Sequence, residues 1–388
     1  MTDDLFNKVL GSIIGATIGD AVGIVVEGRN RETARRILDG KDWVENMYGI
    51  KEMRANPLGI FRENPPRGTG TDDTRLNQIF VECVIKNKGF INSQLLAMEY
   101  IERYRNAEQY YPETFDNLAK RHMGYFYPLC CSHLGMKDIG DFKAETSFEQ
   151  GIYLNELNSF PILSGLLSLQ STGLLYQDNP EKAYQKAVEM DFFDLGFAKD
   201  ATGLLAAIVS TALNNRHLNA GEIIDIGIKT NPYQLGGPSG DMRIMTGVDP
   251  CFLNAPSLPK LFKAVNGIMN DQEAVLALAK ECEFLHPFSP LDILGVPMTI
   301  IRHTKGDPIR SIIMAANHRI IDENNTLLYF RDSDCVAMIT GVIVGAINGL
   351  DAFPKDWIRD VISANIDVYG FNIEQNAKKF YDVIYRKH

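Results

Sequence analysis

The stretch GSIIGATIGDAVG (11–23) has a glycine at every fourth position, and GVIVGAING (341–349) repeats that spacing near the other end of the chain. Residues four apart lie on one face of an α-helix, so each run predicts a helix with one face stripped of side chains. A glycine inside a helix costs roughly 0.5–1 kcal/mol relative to alanine, and a row of them needs a compensating gain. We expect that gain to be backbone contact with a neighbouring helix, closer than the usual axis separation of about 8–10 Å.

Helical periodicity extends well beyond these two runs. Leu5, Val9 and Ile13 share one helix face. Asn179-Pro180 and Asp307-Pro308 are typical helix starts, because the polar side chain caps the first turn and proline has no amide hydrogen to leave unpaired. Strand-like alternation is scarce. We therefore predict an all-α fold forming one domain over 1–388, with further helices over 202–213, 273–284 and 356–364 and loops near 51–70, 125–160, 230–258 and 285–308.

The bulk composition excludes several classes of protein. Lys and Arg total 39 against 49 Asp and Glu, a net charge of −10, so the chain lacks the basic surface that a nucleic-acid scaffold needs. The apolar stretch 336–350 is too short for a membrane span. Six cysteines without a CxxC pair predict neither a disulfide framework nor a zinc site. The N-terminus lacks the basic-then-apolar order of a secretory signal, and the expected location is the cytoplasm.

Acidic residues gather at the ends of three predicted helices. Thr71-Asp72-Asp73-Thr74 precedes one apolar helical run, Asp332-Ser333-Asp334 precedes the second glycine-rich helix, and Asp20 and Glu27 lie at the end of the first. Helix capping explains one carboxylate at each helix start. It does not explain four or more carboxylates if these ends meet in space, because clustered carboxylates raise one another's pKa unless a positive charge neutralises them.

The residue types in these segments favour a hard cation. Aspartate, glutamate and threonine offer only oxygen ligands, and neither histidine nor paired cysteine accompanies them, so Mg²⁺ fits better than zinc. Four or five carboxylates suit two ions that share bridging ligands. The sequence therefore predicts a magnesium site, provided that the three helix ends converge.

Three motifs in this order resemble the ADP-ribosylglycohydrolase family, which includes the dinitrogenase-reductase-activating glycohydrolases. They are GATIGDAVGIVVEG (15–28), GTDDT (70–74) and DSDCVAMITGVIVGAINGLDAFPKDW (332–357), and together they extend over nearly the whole chain. The resemblance implies an all-α fold, a single-domain orthogonal helical bundle, with two Mg²⁺ ions at the base of a cleft. It also implies cleavage of a ribosyl linkage in an ADP-ribosylated protein or a smaller ribosylated substrate.

The resemblance assigns expected roles to individual residues. Thr71, Asp72 and Asp73 match the family's first metal-binding segment, and Asp332 and Asp334 match the second. Glu27 matches an acidic residue that reaches toward the site and is the candidate acid/base, with Asp73 as its rival. The candidate substrate-binding residues are Asp20, Phe197, whose alternative role is core packing, and Arg243, which lies in a loop.

Departures from the family pattern leave the substrate open. Cys335 stands where the family has a threonine ligand, and a neutral thiol is a poor ligand for Mg²⁺, so the second ion is in doubt. The glycine-rich loop that cradles the pyrophosphate has no counterpart in NELNSFPILSGLL (155–167). Two alternatives therefore stand beside an ADP-ribosyl glycosidase: hydrolysis of a smaller N-glycoside such as a nucleoside, and a non-catalytic binding or immunity-type homologue.

Overall fold

The computed structural model describes residues 2–136, 164–214, 217–237, 239–240, 242–246 and 256–386. Within these ranges the chain is overwhelmingly helical, as predicted, and this confirms the all-α class. The helices of the first half are α1 (Thr2–Gly23), α2 (Arg31–Ile37), α3 (Asp72–Lys86), α4 (Ser93–Arg105), α5 (Ala107–Tyr110), α6 (Asp116–Gly124), α7 (Tyr127–His133), α8 (Ser164–Ser168) and α9 (Pro180–Met190).

The second half contains nine further α-helices in the described ranges and one small antiparallel sheet. The helices are α10 (Phe197–Asn214), α11 (Ala220–Lys229), α12 (Leu258–Val265), α13 (Asp271–Glu281), α14 (Val296–His303), α15 (Pro308–Ala316), α16 (Ser333–Asn348), α17 (Lys355–Tyr369) and α18 (Ile373–Tyr385). One turn of π-helix, Leu291–Gly295, leads directly into α14. Strands β1 (Arg319–Ile321) and β2 (Leu327–Phe330) form the sheet.

Helices α1 and α16 pack antiparallel with their backbones in contact. A Cβ atom on Gly19 would lie 2.0 Å from the carbonyl oxygen of Ala337, and a Cβ on Gly341 would lie 2.0 Å from that of Gly15. The same clash recurs one turn further along, where a Cβ on Gly345 would lie 2.1 Å from the oxygen of Gly11. This row of contacts, called the glycine seam below, confirms the predicted close approach.

Most of the predicted helix signals are also found. The side chain of Asn179 accepts a 3.1 Å hydrogen bond from the Lys182 amide, and that of Asp307 accepts one of 2.9 Å from the Arg310 amide, so both cap their helices. The predicted runs at 202–213, 273–284 and 356–364 fall largely within α10, α13 and α17.

Two of the predicted loops are wrong in part. Helix α7 lies within 125–160 and α14 within 285–308, while residues 137–160 lie outside the described part of the chain. Both helices carry a proline in their first turn, Pro128 and Pro297. Proline is accepted there because the first amides of a helix have no intrahelical partner, so these prolines mark helix starts rather than breaks.

The short hairpin has a positional role despite its size. Strand β2 pairs with β1, and its far end continues the pairing with the turn that follows α1: the Phe330 amide donates a 3.0 Å hydrogen bond to the Arg29 carbonyl. This backbone pairing holds the residues just after Glu27 against the residues just before Asp332.

The apolar core draws on both ends of the chain. Val9, Ile208, Ile339 and Phe380 are fully buried members of one large cluster. Within α1, Asp4–Gly23 is long and apolar enough to span a membrane by composition, but 83% of its most apolar window is buried inside the molecule. The apolar character of α1 is thus accounted for by core packing. The single-domain assignment stays a prediction.

Candidate metal centre

The glycine seam brings the end of α1 to the start of α16. A Cβ on Gly23 would lie 2.2 Å from the carbonyl oxygen of Ser333, so no side chain separates the two helix ends. Asp20 lies one turn before this contact and Glu27 lies one turn after it. The acidic ends of the two glycine-rich helices therefore meet, as the sequence predicted they must for a shared site.

Asp20 fastens the start of α3 to α1. Its Oδ2 atom accepts hydrogen bonds from the Thr71 amide (2.8 Å), the Thr74 amide (3.1 Å) and the Thr74 hydroxyl (2.5 Å). Because Asp20 is fully buried, these bonds replace the water that its carboxylate loses. The first turn of α3, with Asp72 and Asp73, is thereby fixed beside the ends of α1 and α16.

Helix capping does not account for the other carboxylates. Thr71 caps α3, since its side chain accepts a 3.1 Å hydrogen bond from the Asp73 amide. Asp332 precedes the first residue of α16, but its side chain makes no capping hydrogen bond. Three buried carboxylate oxygens of this cluster have no hydrogen-bond partner among the described residues: Asp20 Oδ1, Asp73 Oδ2 and Asp332 Oδ2. Buried oxygens of this kind are costly unless a cation compensates them.

The remaining acids form two groups that share one member. Glu27, Asp332 and Asp334 place ligand atoms within 4.8 Å of one another, and so do Asp73, Asp334 and Cys335. Asp334 belongs to both groups, which is the arrangement that a carboxylate bridging two ions requires.

Burial raises the pKa of the carboxyls in this cluster, and repulsion from Asp334 raises most of them further. The pKa of Asp20 rises to about 7 and that of Asp72 to about 8, although Arg75 partly offsets the second shift. Glu27 faces the open pocket and keeps solvent access, yet the surrounding protein and the charge of Asp334 raise its pKa as well. Burial is the main cause of the raised pKa values of Asp73, Asp332 and Asp334.

The donor set fits a hard cation. The three orphaned carboxylate oxygens are ligands that Mg²⁺ prefers, and ligation would displace the protons that burial now favours. Cys335 is the exception: burial raises the pKa of its thiol, which therefore stays protonated and binds Mg²⁺ poorly. The group with Asp73 and Cys335 thus includes one side chain that suits Mg²⁺ poorly.

An open pocket of ≈ 350 Å³ lies over the acidic cluster. Its charged lining residues are acidic except for Arg54, whose side chain is exposed and makes no ion pair within the described ranges. Apolar side chains form part of the wall, and the exposed ring of Phe288 contributes to it. The full described lining comprises Ile24, Glu27, Met53, Arg54, Asn56, Leu58, Gly59, Ile60, Asp72, Asp73, Ser164, Leu167, Phe288, Asp332, Asp334 and Cys335.

Comparison with protein families agrees with this geometry. The family model described as ADP-ribosylglycohydrolase matches residues 1–387. The chain belongs to the ADP-ribosylglycohydrolase family. Membership supports a glycohydrolase function, and the acidic cluster that the fold assembles lies within the matched region.

A solved structure shares this fold. The "ADP-ribosylglycohydrolase-related protein complex" contains a chain similar to this one, with a TM-score of 0.58 and 19% sequence identity, covering 98% of this chain and 99% of that chain. A sequence comparison with curated proteins gives no match.

Not every predicted site residue of this ADP-ribosylglycohydrolase family member reaches the pocket. Arg243 is buried and forms an ion pair with Asp200, with Nη2 2.6 Å from Oδ1, and it also donates to the Thr230 carbonyl. Phe197 is half-buried against the core, at the start of α10. Neither is part of the described pocket lining. Their predicted substrate contacts stay predictions, but the structure gives both residues packing roles.

Arg54 and Phe288 are among the pocket residues that sequence reasoning missed. Arg54 and Phe288 lie in segments that the sequence marked only as loops, and no spacing in either segment points to the site. Part of the region predicted to lack the family's pyrophosphate loop, 155–163, lies outside the described residues. The described remainder begins with Ser164, which borders the pocket.

Proposed function

We propose that this chain is a Mg²⁺-dependent glycosidase that hydrolyses an ADP-ribosyl linkage, either N- or O-glycosidic, on a protein or a small molecule. The observation that carries the proposal is that Asp334 belongs to both groups of converging ligand side chains. The orphaned oxygens of Asp73 and Asp332 support it, because a buried carboxylate without a donor or cation is unstable.

The metal ligands in this proposal are Asp72, Asp73, Asp332 and Asp334, with Thr71 as a further oxygen donor. Bound Mg²⁺ would supply Lewis-acid stabilisation to substrate hydroxyls and to a water. Two ions are proposed, because Asp334 belongs to both groups of ligand atoms. The ion nearer Cys335 would be held less tightly, since one protein ligand there is a protonated thiol.

Glu27 is the proposed acid/base. Hydrolysis breaks the bond between the ribose C1 and the leaving nitrogen or oxygen, water adds to C1, and the leaving atom takes a proton while positive charge develops on the sugar. Glu27 suits this task because its pKa is raised and its side chain faces the open pocket, where it can exchange protons with solvent. Asp73, the rival, is buried with only 2% of its surface exposed.

Arg54 favours a substrate that carries phosphate. The described lining of the pocket otherwise presents only negative charges, so an anionic group needs a positive partner in addition to the metal. The Arg54 side chain is exposed at the pocket and has no competing carboxylate partner among the described residues. A diphosphate placed beside it would gain charge-assisted hydrogen bonds.

The two alternatives are separable by experiment. A nucleoside hydrolase would use the same acidic cluster, and its activity would not depend on Arg54. A binding homologue would hold Mg²⁺ or ADP-ribose without turnover.

The test combines calorimetric titration with Mg²⁺ and ADP-ribose and release assays on ADP-ribosylated arginine peptides, ADP-ribosylated serine peptides and a nucleoside panel. We expect Mg²⁺ binding and ADP-ribose release, both lost in Asp334→Asn. Both should be retained in Asp42→Asn, which removes a carboxylate paired with Arg31 outside the lining. Base release from nucleosides alone, or binding without release, would refute the proposed reaction.

A further inference from the structure

A second cluster of functional side chains lies buried behind the acidic segment of α16. At its centre is Asp292, in the π-helical turn, which accepts hydrogen bonds from His318 Nε2 (2.8 Å) and Arg331 Nε (2.9 Å). Cys282 completes the cluster, with ligand atoms of Cys282, Asp292 and His318 within 4.8 Å of one another. These side chains are almost completely buried, and none belongs to the described pocket lining.

The donor arrangement disfavours a metal ion in this cluster. Both oxygens of Asp292 already have donors, and one donor is the permanently charged guanidinium of Arg331. A metal cation at Asp292 would face that charge in a medium of low dielectric constant. Burial also raises the pKa of the Cys282 thiol, which favours the protonated form over a thiolate ligand. The cluster is therefore a buried, hydrogen-bonded ion pair between Asp292 and Arg331.

Arg331 connects this ion pair to the acidic cluster through its backbone. Its carbonyl oxygen accepts hydrogen bonds from the amides of Gly28 (3.3 Å) and Ser333 (2.9 Å). Gly28 follows Glu27, and Ser333 separates Asp332 from Asp334. One carbonyl group thus joins the two segments that supply Glu27, Asp332 and Asp334.

The side chain of Arg331 fixes the position of that carbonyl. Beyond Asp292, the guanidinium donates to the carbonyl oxygens of Cys282 (3.3 Å) and Leu285 (2.5 Å). Leu285 begins the short segment that ends at the pocket residue Phe288. A buried guanidinium keeps this position only while its carboxylate partner remains, because an unpaired buried charge is strongly destabilising.

We propose that Asp292 is a positioning residue: through the buried side chain of Arg331 it holds the Arg331 carbonyl, and with it Glu27, Asp332 and Asp334, in the arrangement that binds the cation. The link to cation binding rests on the proposed function. The positioning itself does not, and it can be measured without metal. The π-helical turn agrees with such a role. Such turns are rare in proteins, and those that occur often lie at functional sites.

The test variant is Asp292→Asn, which keeps the size of the side chain and an acceptor for His318 but removes the charge that pairs with Arg331. The matched control is Asp200→Asn. Asp200 is also buried, also pairs with a buried arginine (Arg243) and also accepts from a second side chain, the Tyr184 hydroxyl at 2.6 Å. It differs in having no described contact with the acidic cluster.

Two readouts separate positioning from a general loss of stability. The first, without metal, is amide hydrogen exchange at Gly28 and Ser333, which we expect to accelerate at least about tenfold in Asp292→Asn and not in Asp200→Asn. The second is calorimetric Mg²⁺ affinity, expected to fall about tenfold to a hundredfold in Asp292→Asn only, as for residues that orient metal ligands.

The outcomes separate the positioning role of Asp292 from the proposed cation binding. Unchanged exchange at both amides in folded Asp292→Asn overturns the positioning role. Faster exchange in a protein whose wild type binds no Mg²⁺ keeps the positioning role and overturns the proposed function. If Asp292→Asn does not fold, the double variant Asp292→Asn/Arg331→Met removes the unpaired charge and restores a neutral core. Wild-type exchange and Mg²⁺ affinity in that variant would overturn the proposal.

Discussion

Gly19 and Ala337 pack so closely that a Cβ on Gly19 would lie 2.0 Å from the carbonyl oxygen of Ala337 and 2.4 Å from its carbonyl carbon. The obstacle is backbone on a buried helix, which cannot turn aside as a flexible side chain would. The spacing of α1 and α16 is therefore set at this pair of residues, one turn away from the acidic cluster.

Gly19→Ala should force the two helices apart and disturb the site at their ends. We expect a loss of about 1–3 kcal/mol in the free energy of unfolding, typical of overpacking, together with weaker Mg²⁺ binding. Chemical denaturation and calorimetry measure the two effects. Gly49→Ala is the control, since nothing lies within 4 Å of a Cβ there. Equal stability of the two variants would contradict the close packing.

Stability without metal should fall as the pH rises. The native carboxyls of Asp20 and Asp72 keep their protons up to about pH 7 and 8, whereas the unfolded chain releases them near the ordinary aspartate pKa of 3.8. Between these limits the native state binds more protons, so its free energy of unfolding decreases with pH. Below the lower limit both states are protonated and the effect vanishes.

Thermal melts in chelator at pH 5 and pH 8 measure this dependence, and melts in excess Mg²⁺ provide the comparison. We expect a lower melting temperature at pH 8 in chelator and a much smaller difference with Mg²⁺, because a bound cation stabilises the ionised carboxylates. Asp72→Asn should reduce the slope in chelator. A metal-free protein that is more stable at pH 8 than at pH 5 would refute the pKa assignments.

Cys335→Thr should tighten Mg²⁺ binding. The substitution replaces a protonated thiol beside Asp73 and Asp334 with a hydroxyl, an oxygen ligand that suits Mg²⁺. Calorimetry should show a lower dissociation constant for the weaker ion, or a second binding event where the wild type shows one. Cys335→Ala removes the sulfur without adding oxygen and should bring no gain. Identical affinities for all three proteins would exclude Cys335 from the site.

Arg54→Ala should separate substrates by charge. Losing a charge-assisted hydrogen bond costs about 1.5–3 kcal/mol, so kcat/KM for an ADP-ribosylated peptide should fall roughly tenfold to a hundredfold. A nucleoside without phosphate should bind wild type and variant equally. Arg62→Ala, which removes an arginine paired with Asp367 outside the described lining, is the control. Undiminished turnover of the ADP-ribosylated peptide by Arg54→Ala would argue against phosphate recognition at this residue.

The features that the sequence predicted best depend on local spacing. The glycine repeat of α1 and α16 and the caps at Asn179 and Asp307 follow from helix geometry alone. The meeting of Asp20 and Asp334 could also be anticipated, because the same glycines that predict close helices place acids at their ends.

The features that the sequence did not predict depend on contacts between distant residues. No sequence pattern distinguishes Arg54 from other loop arginines. Its proposed role follows only from its position in the pocket wall. Arg243 has the character of a substrate-loop arginine in the sequence, and only the fold reveals its ion pair with Asp200. Asp292 pairs with Arg331, 39 positions away, and no sequence pattern near either residue indicates this pairing.

The glycine seam has a further consequence for how this chain can change over time. In an ordinary core, a larger side chain on one helix is tolerated when a neighbour on the other becomes smaller. Along Gly11, Gly341 and Gly345 the nearest opposing atoms are main chain, and these positions already carry the smallest residue available. No second substitution can rescue the first, so mutational drift is blocked along this line.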